Sequence, residues 1–218
     1  AAWLPTPEPV RTRIPLNATL PAVPAERVPE VLAKYEGEIQ ELKIKVAEKG
    51  QSLADDIARV AAARDALPNA RLKVDANMGY TLAGALDALR KLCEYGIIYA
   101  EQPVASIEDM AALRFAIAKE GLPARIAADE SIRKAEDPLK VARANAADLM
   151  VIKAAPLGGV RRALALVEQA QLPAVVSSAL ESSVGIATGA SLAASLPTLR
   201  YGCGLGTVSL MAEDVTDE

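Results

Sequence analysis

The chain has 218 residues, a formal charge of −4 and a pI near 5.1, so its charge gives no reason to expect nucleic acid as a partner. Hydrophobic residues make up 51% and aromatics only 3%, and no apolar run reaches the roughly 20 residues that span a bilayer. Histidine is absent, which excludes Ser-His-Asp hydrolysis, His-ligated zinc and a His general base. The two cysteines, Cys93 and Cys203, are too isolated for a disulfide framework or a thiolate metal site.

Residues 1–13, punctuated by Pro5, Pro7 and Pro9, read as a linker from a domain upstream. Residues 14–218 read as a single (β/α)8 barrel of TIM type. A strand over 14–20 leads to a helix over 25–35, and a strand over 41–46 to a helix over 52–66, where Ser52 with Asp55 three residues on forms a capping signal. The third strand, 72–75, precedes a helix over 81–95 in which Leu82, Leu86, Leu89 and Leu92 recur at helical spacing before Gly96 stops it. Strands over 97–100, 125–128, 149–153 and 174–177 alternate with helices over 107–120, 138–144, 160–169 and 184–195. A short eighth strand over 199–202 completes the pattern. The strands look like continuous apolar runs, as expected when both faces are buried.

Five of these runs end in a charged residue: Lys45 (with Lys43 two residues earlier), Asp75, Glu101, Asp129 and Lys153. The steps between them are 30, 26, 28 and 24 residues, each about one strand, one helix and two short loops. A polar residue at the C-terminal end of successive parallel strands is how a barrel of this kind assembles an active site. One acid in such a place is ordinarily a helix cap or a solvated loop residue. Three on consecutive strands converge on one mouth, where they repel unless a cation neutralises them. With no His or Cys beside them, Asp75, Glu101 and Asp129 suit a hard ion, Mg²⁺ or Mn²⁺, rather than zinc. Asn77 is placed to support Asp75, and Glu130 to pair with one of the lysines. Lys45 and Lys153, on strands two and six, lie across the mouth from one another and flank whatever the metal holds, while Lys43 shares the face of Lys45.

Lys43-Ile-Lys45, Asp75-Ala-Asn77, Glu101-Gln-Pro103, Asp129-Glu-Ser131 and Lys153 together resemble the barrel domain of the enolase superfamily, in the muconate-lactonising subgroup. The resemblance covers essentially the whole chain. It implies abstraction of a proton alpha to a carboxylate of a small-molecule substrate, with Lys45 as base, Lys153 as the stabilising cation and Mg²⁺ on the three acids. It also implies an N-terminal capping domain, absent from these residues, whose loops close over the barrel, and a cytoplasmic enzyme. Dipeptide epimerases of the subgroup carry Asp-x-Asp on the eighth strand, whereas Gly202-Cys-Gly204 stands here without charge. Ser177, Ser178 and Gly204 are the expected substrate contacts. Racemisation of an N-acylamino acid, muconate-type cycloisomerisation and a non-catalytic binding barrel remain alternatives.

Overall fold

The structure is a computed structural model that describes residues 7–215. Of the expected linker, residues 1–6 lie outside the described residues. Seven strands form one parallel, curled sheet in sequential order: β1 Ala18–Leu20, β2 Glu41–Lys45, β3 Arg71–Asp75, β4 Ile97–Glu101, β5 Arg125–Ala128, β6 Leu149–Ile152 and β7 Ala174–Val176. Helices α1 Val28–Leu32, α2 Leu53–Ala66, α3 Leu82–Leu92, α4 Ile107–Lys119, α5 Glu130–Arg133, α6 Lys140–Arg143, α7 Val160–Ala170 and α8 Ser183–Ser195 connect them. The capping box at Ser52 and Asp55 forms as read from the sequence, and Gly96 ends the turn after α3 with φ +69°.

The eighth strand expected over 199–202 is not formed. Cys203 and Gly204 instead make two isolated parallel bridges, Leu16 with Cys203 and Ser177 with Gly204, so this segment touches both edges of the sheet. Two glycines weaken strand propensity here, and the space demands them. A Cβ on Gly202 would stand 3.0 Å from the backbone of Leu16, and one on Gly204 would stand 2.8 Å from Ser177 Oγ. The first strand is shorter than expected, because its pairing with β2 starts at Ala18 while Leu16 pairs with Cys203 instead. The helix expected over 25–35 splits into a 3-10 turn at Ala25–Arg27 and the short α1.

The two faces of the strands serve different cores. Even-numbered positions such as Leu42, Ile44, Leu72, Val74, Ile126, Met150, Ile152 and Val176 pack outward into the large core shared with the helices. Odd-numbered positions face inward and build a separate small core of Tyr99, Ala127, Leu149, Val151, Val175 and Tyr201. Strand pleating sets this period of two. An irregularity where β4 spends three residues against two of β3 turns Ile97 outward while Tyr99 and Glu101 stay inside.

At the N-terminal ends of the strands a buried ion pair does the work of a missing strand. Glu41 Oε2 accepts from Lys73 Nζ at 3.1 Å and from the Gly202 N–H at 2.8 Å, and Lys73 also donates to the Gly202 carbonyl at 2.8 Å. Burial works against the Lys73 ammonium and lowers its pKa, though Glu41 opposes this. Both polar groups of the Gly202 backbone are thus satisfied by side chains. Removing one partner leaves a buried charge unpaired, so Glu41→Ala should lower unfolding stability by about 3–5 kcal/mol, while Glu41→Leu with Lys73→Met should recover only part of that loss, because it leaves the Gly202 N–H and carbonyl without partners. Urea melts of the three proteins test this, and equal loss in the single and double variants would rule it out.

Candidate active site

The C-terminal end of β2 is held by α2. Arg59, fully buried, donates to the Lys45 carbonyl at 2.9 Å and to Asp56 Oδ1 at 2.9 Å. Asp56 Oδ2 in turn accepts from the Ala47 N–H at 2.9 Å and from the Tyr80 hydroxyl at 2.6 Å. Ala47 has φ +58°, and Asn77 and Met78 after β3 have φ +44° and +69°, so the chain turns sharply past each strand end. Gly79 is required at this crossing, because a Cβ there would meet the Ala47 carbonyl at 2.5 Å.

Strand register brings Lys45 beside Asp75 and Asp75 beside Glu101. Glu101 pairs with Ala127, so Asp129 lies two residues beyond it at the same end of the sheet. All three carboxylates are buried, at 1–2% exposure. Lys45 Nζ donates to Asp75 Oδ2 at 2.6 Å and to Asn77 Oδ1 at 2.6 Å. Lys43 Nζ stands between Asp75, at 3.2 Å, and Glu101, at 3.4 Å. Lys153 Nζ donates to Asp129 Oδ2 at 2.8 Å. Lys43, Lys45, Asp75, Asn77, Asp129, Lys153, Ser177, Ser178 and Gly204 all line one cavity of about 450 Å³. Glu101 and Glu130 lie behind that lining. Asp129 begins α5 but makes no capping bond with its side chain, so helix capping does not account for it.

Burial works against the Lys43 ammonium, but Glu101 and then Asp75 outweigh it and its pKa is raised. Burial likewise works against the Asp75 anion, yet Lys43 and Lys45 bring its pKa below the ordinary value. Glu101 is the exception. Burial first, then the charge of Asp75 and Asp129, push its carboxyl up to about 7 despite Lys43 and Lys153. Among the described residues no group of three or more His, Cys, Asp or Glu side chains is gathered to hold a metal as it stands, because each carboxylate is turned toward a lysine. The donor chemistry nevertheless fits a hard divalent cation: three carboxylates from adjacent strands, one of them short of positive charge, with an ammonium between two of them.

Four participants were not read from the sequence. Gln102 Oε1 accepts from the N–H groups of Asp129 and Ser131 at 3.0 and 3.1 Å, fixing β5 to the end of β4. Arg133 donates from Nε to Asp129 at 3.1 Å and from its terminal nitrogen to Glu130 Oε1 at 2.7 Å. Thr207 shares a 2.6 Å hydrogen bond with Ser178, and Thr19 also lines the cavity. Only Arg133 had a visible signal, its place one helical turn after Asp129.

The description Enolase C-terminal domain-like matches residues 25–218. The chain belongs to that family. It is 56% identical over 218 residues, all of this chain and 65% of the relative, to an o-succinylbenzoate synthase of Mycolicibacterium smegmatis. It is 49% identical over 219 residues to one of Thermobifida fusca, covering 100% of this chain and 67% of that protein. The chain therefore spans about two thirds of the length of these curated relatives. Among solved structures it is similar to a muconate cycloisomerase of Pseudomonas fluorescens, with a TM-score of 0.81 and 29% identity over 96% of this chain and 58% of that one. A dipeptide epimerase of Enterococcus faecalis matches with a TM-score of 0.80 and 26% identity, covering 93% of this chain and 58% of the other. Members of this superfamily generally use a divalent metal ion.

The raised Glu101 carboxyl has a sign that can be checked. The folded chain holds a proton there up to about pH 7, whereas an unfolded one releases it near 4.5, so this group's contribution is full below 4.5 and is lost as pH rises through 7. In metal-free protein, urea stability of the wild type should fall between pH 5 and 8 relative to Glu101→Gln, by at most about 3 kcal/mol. Parallel pH profiles would refute the assignment.

Proposed function

We propose that the chain carries the active site of an o-succinylbenzoate synthase of menaquinone biosynthesis, in the cytoplasm. The reading rests on one arrangement: two lysines from β2 and the end of β6 share a cavity with carboxylates from the ends of β3 and β5, and Glu101 lies just behind. The names of the curated relatives support it, and the uncharged Gly202-Cys-Gly204 segment speaks against an ammonium-bearing dipeptide substrate. We take the eight-stranded barrel as the parent architecture, with residues 202–204 standing for the eighth strand.

The substrate in this reading is 2-succinyl-6-hydroxy-2,4-cyclohexadiene-1-carboxylate. Its proton alpha to the ring carboxylate is too weakly acidic for a base alone to remove at a useful rate. A divalent ion held by Asp75, Glu101 and Asp129, Mg²⁺ with Mn²⁺ as a substitute, supplies positive charge where negative charge builds on that carboxylate. Lys45 takes the proton. Asp75 and Asn77, which accept hydrogen bonds from its Nζ, hold it at the cavity wall. Lys153 remains an ammonium and stabilises the developing charge from the other side. The hydroxyl departs with the removed proton as one molecule of water, leaving the aromatic ring. Ser177, Ser178 and Gly204 border the cavity from the β7 side and contact the substrate.

An N-terminal capping domain of the same protein completes the closure. Leu180 and Leu210 border the cavity yet are 64% and 74% exposed, an apolar rim suited to being covered. Among the described residues no helix is long and apolar enough to cross a membrane. Residues 1–218 alone should therefore show a much lower kcat/KM than the protein with its cap, since a misplacement of about 1 Å costs on the order of 100-fold. Equal values would make the cap dispensable.

The roles separate in variants of the full-length enzyme with Mg²⁺. Lys45→Ala should abolish exchange of the alpha-proton with solvent deuterium, because no histidine exists to replace it. Lys153→Ala should lose activity through lost charge stabilisation, and Lys153→Arg should regain part of it. Exchange persisting in Lys45→Ala would place the base elsewhere. Exchange into both enantiomers of an N-acylamino acid, without dehydration of the cyclohexadiene, would favour a racemase.

A further inference from the structure

The two lysines are joined by an unbroken hydrogen-bonded arc around the cavity. Lys45 Nζ donates to Asn77 Oδ1 at 2.6 Å, and Asn77 Nδ2 donates to Glu130 Oε1 at 3.2 Å. The same Glu130 oxygen accepts from Arg133 at 2.7 Å. Arg133 Nε then donates to Asp129 Oδ1 at 3.1 Å, while Asp129 Oδ2 accepts from Lys153 at 2.8 Å. Arg133 is the only member that grips two carboxylates, and it lies at the middle of the chain between the two amines.

We propose that Arg133 is a positioning residue of this site, holding Asp129 and Glu130 together and so fixing Lys45 and Lys153 relative to each other. Three observations carry this. Asp129 makes no capping bond to its own helix, so among the described residues only Arg133 and Lys153 hold its carboxylate by side-chain bonds. Glu130 Oε2 is the one buried side-chain polar atom without a partner among the described residues, so every bond of that carboxylate passes through Oε1. Without Arg133, Asn77 alone would hold Glu130, and a buried carboxylate would lose its only cation. A guanidinium is suited to the task because its rigid fork spans two acceptors, which the single point charge of a lysine does not.

The arc itself is tested on ligand-free protein, independently of any activity. In protein labelled at the lysine ε-carbon, Arg133→Met should shift the NMR signals of both Lys45 and Lys153, each assigned through its own alanine variant. A Lys45 signal that stays in place while Lys153 moves would overturn the proposal, since it would confine Arg133 to its immediate neighbour. The catalytic consequence rests on the function proposed above and is read separately. With Mg²⁺ and the cyclohexadiene substrate, Arg133→Met should lower kcat by roughly 10- to 100-fold and weaken Mn²⁺ binding, measured by electron paramagnetic resonance without substrate, by a comparable factor. Arg133→Lys should recover little, and added guanidinium should partly restore Arg133→Ala. A raised KM with unchanged kcat and Mn²⁺ affinity would instead make Arg133 a substrate contact and defeat the proposal. Wild-type protein that fails to turn over this substrate would defeat the functional reading and leave the NMR result to decide the role of Arg133.

Discussion

A buried charge has to find its opposite within a few ångströms, and this requirement organises the whole C-terminal end of the sheet. Four carboxylates, Asp75, Glu101, Asp129 and Glu130, are interleaved with Lys43, Lys45, Arg133 and Lys153 at distances of 2.6–3.4 Å. The desolvation penalty of an unmatched ion is several kcal/mol, so a change at any one of these residues is felt by its partners. Glu101 shows what imperfect matching costs. Its single contact is the longest of the set, and its carboxyl is the one that rises toward neutrality. The other devices of the site serve to keep this lattice of charge in register. Arg59 and Asp56 clamp the turn after Lys45, and Gln102 fastens the backbone of Asp129 to the strand that carries Glu101.

The opposite end of the sheet is coupled to the site through the segment that closes it. Glu41 and Lys73 bind the Gly202 backbone at the base, and two residues later Gly204 exchanges backbone hydrogen bonds with Val176 and Ser178 at the mouth. Side-chain bonds thus locate a stretch too glycine-rich to hold itself as a strand. The position of Ser178, and of Thr207 bonded to it, follows from that anchorage. The same odd-numbered face of β2 supplies Glu41 at the base and Lys43 and Lys45 at the mouth, so one pleat serves structure and chemistry together.

The sequence disclosed the parts that depend on spacing along the chain. Asp75, Glu101, Asp129 and Lys153 were visible because each ends an apolar run at a near-constant interval, and the seven strands lie within a few residues of where the pattern puts them. What depends on pairing across the chain stayed hidden. In β4 to β7, Tyr99, Ala127, Val151 and Val175 point inward but are as apolar as their outward neighbours, so the alternation of faces leaves no signature there, although it shows in Glu-Leu-Lys-Ile-Lys of β2. Cys203 and Gly204 pair for too short a length to form the eighth strand that the pattern put near them. Gln102 gains its role only when β4 and β5 lie side by side, whereas Arg133 reaches Asp129 and Glu130 within its own helical turn. Lys43 was expected on the face of Lys45, and its nearest partners prove to be Asp75 and Glu101.

The charge lattice also bears on the chemistry proposed for it. Its four acidic and four basic groups sum to zero when all are ionised. A divalent ion and a substrate with two carboxylates add equal and opposite charge, so the filled site with Lys45 neutral, as proton abstraction requires, carries one net negative charge. Passing a proton from carbon to Lys45 leaves that sum unchanged and only separates charge over a short distance. Separation of charge in a buried cavity is governed by where the nearest fixed charges stand, because a low dielectric screens them weakly. The rate should therefore depend on the spacing of Lys45 and Lys153 about the reacting carbon more than on their number. Such a site gains from a rigid connection between its two amines, and the Asn77–Glu130–Arg133–Asp129 arc supplies one.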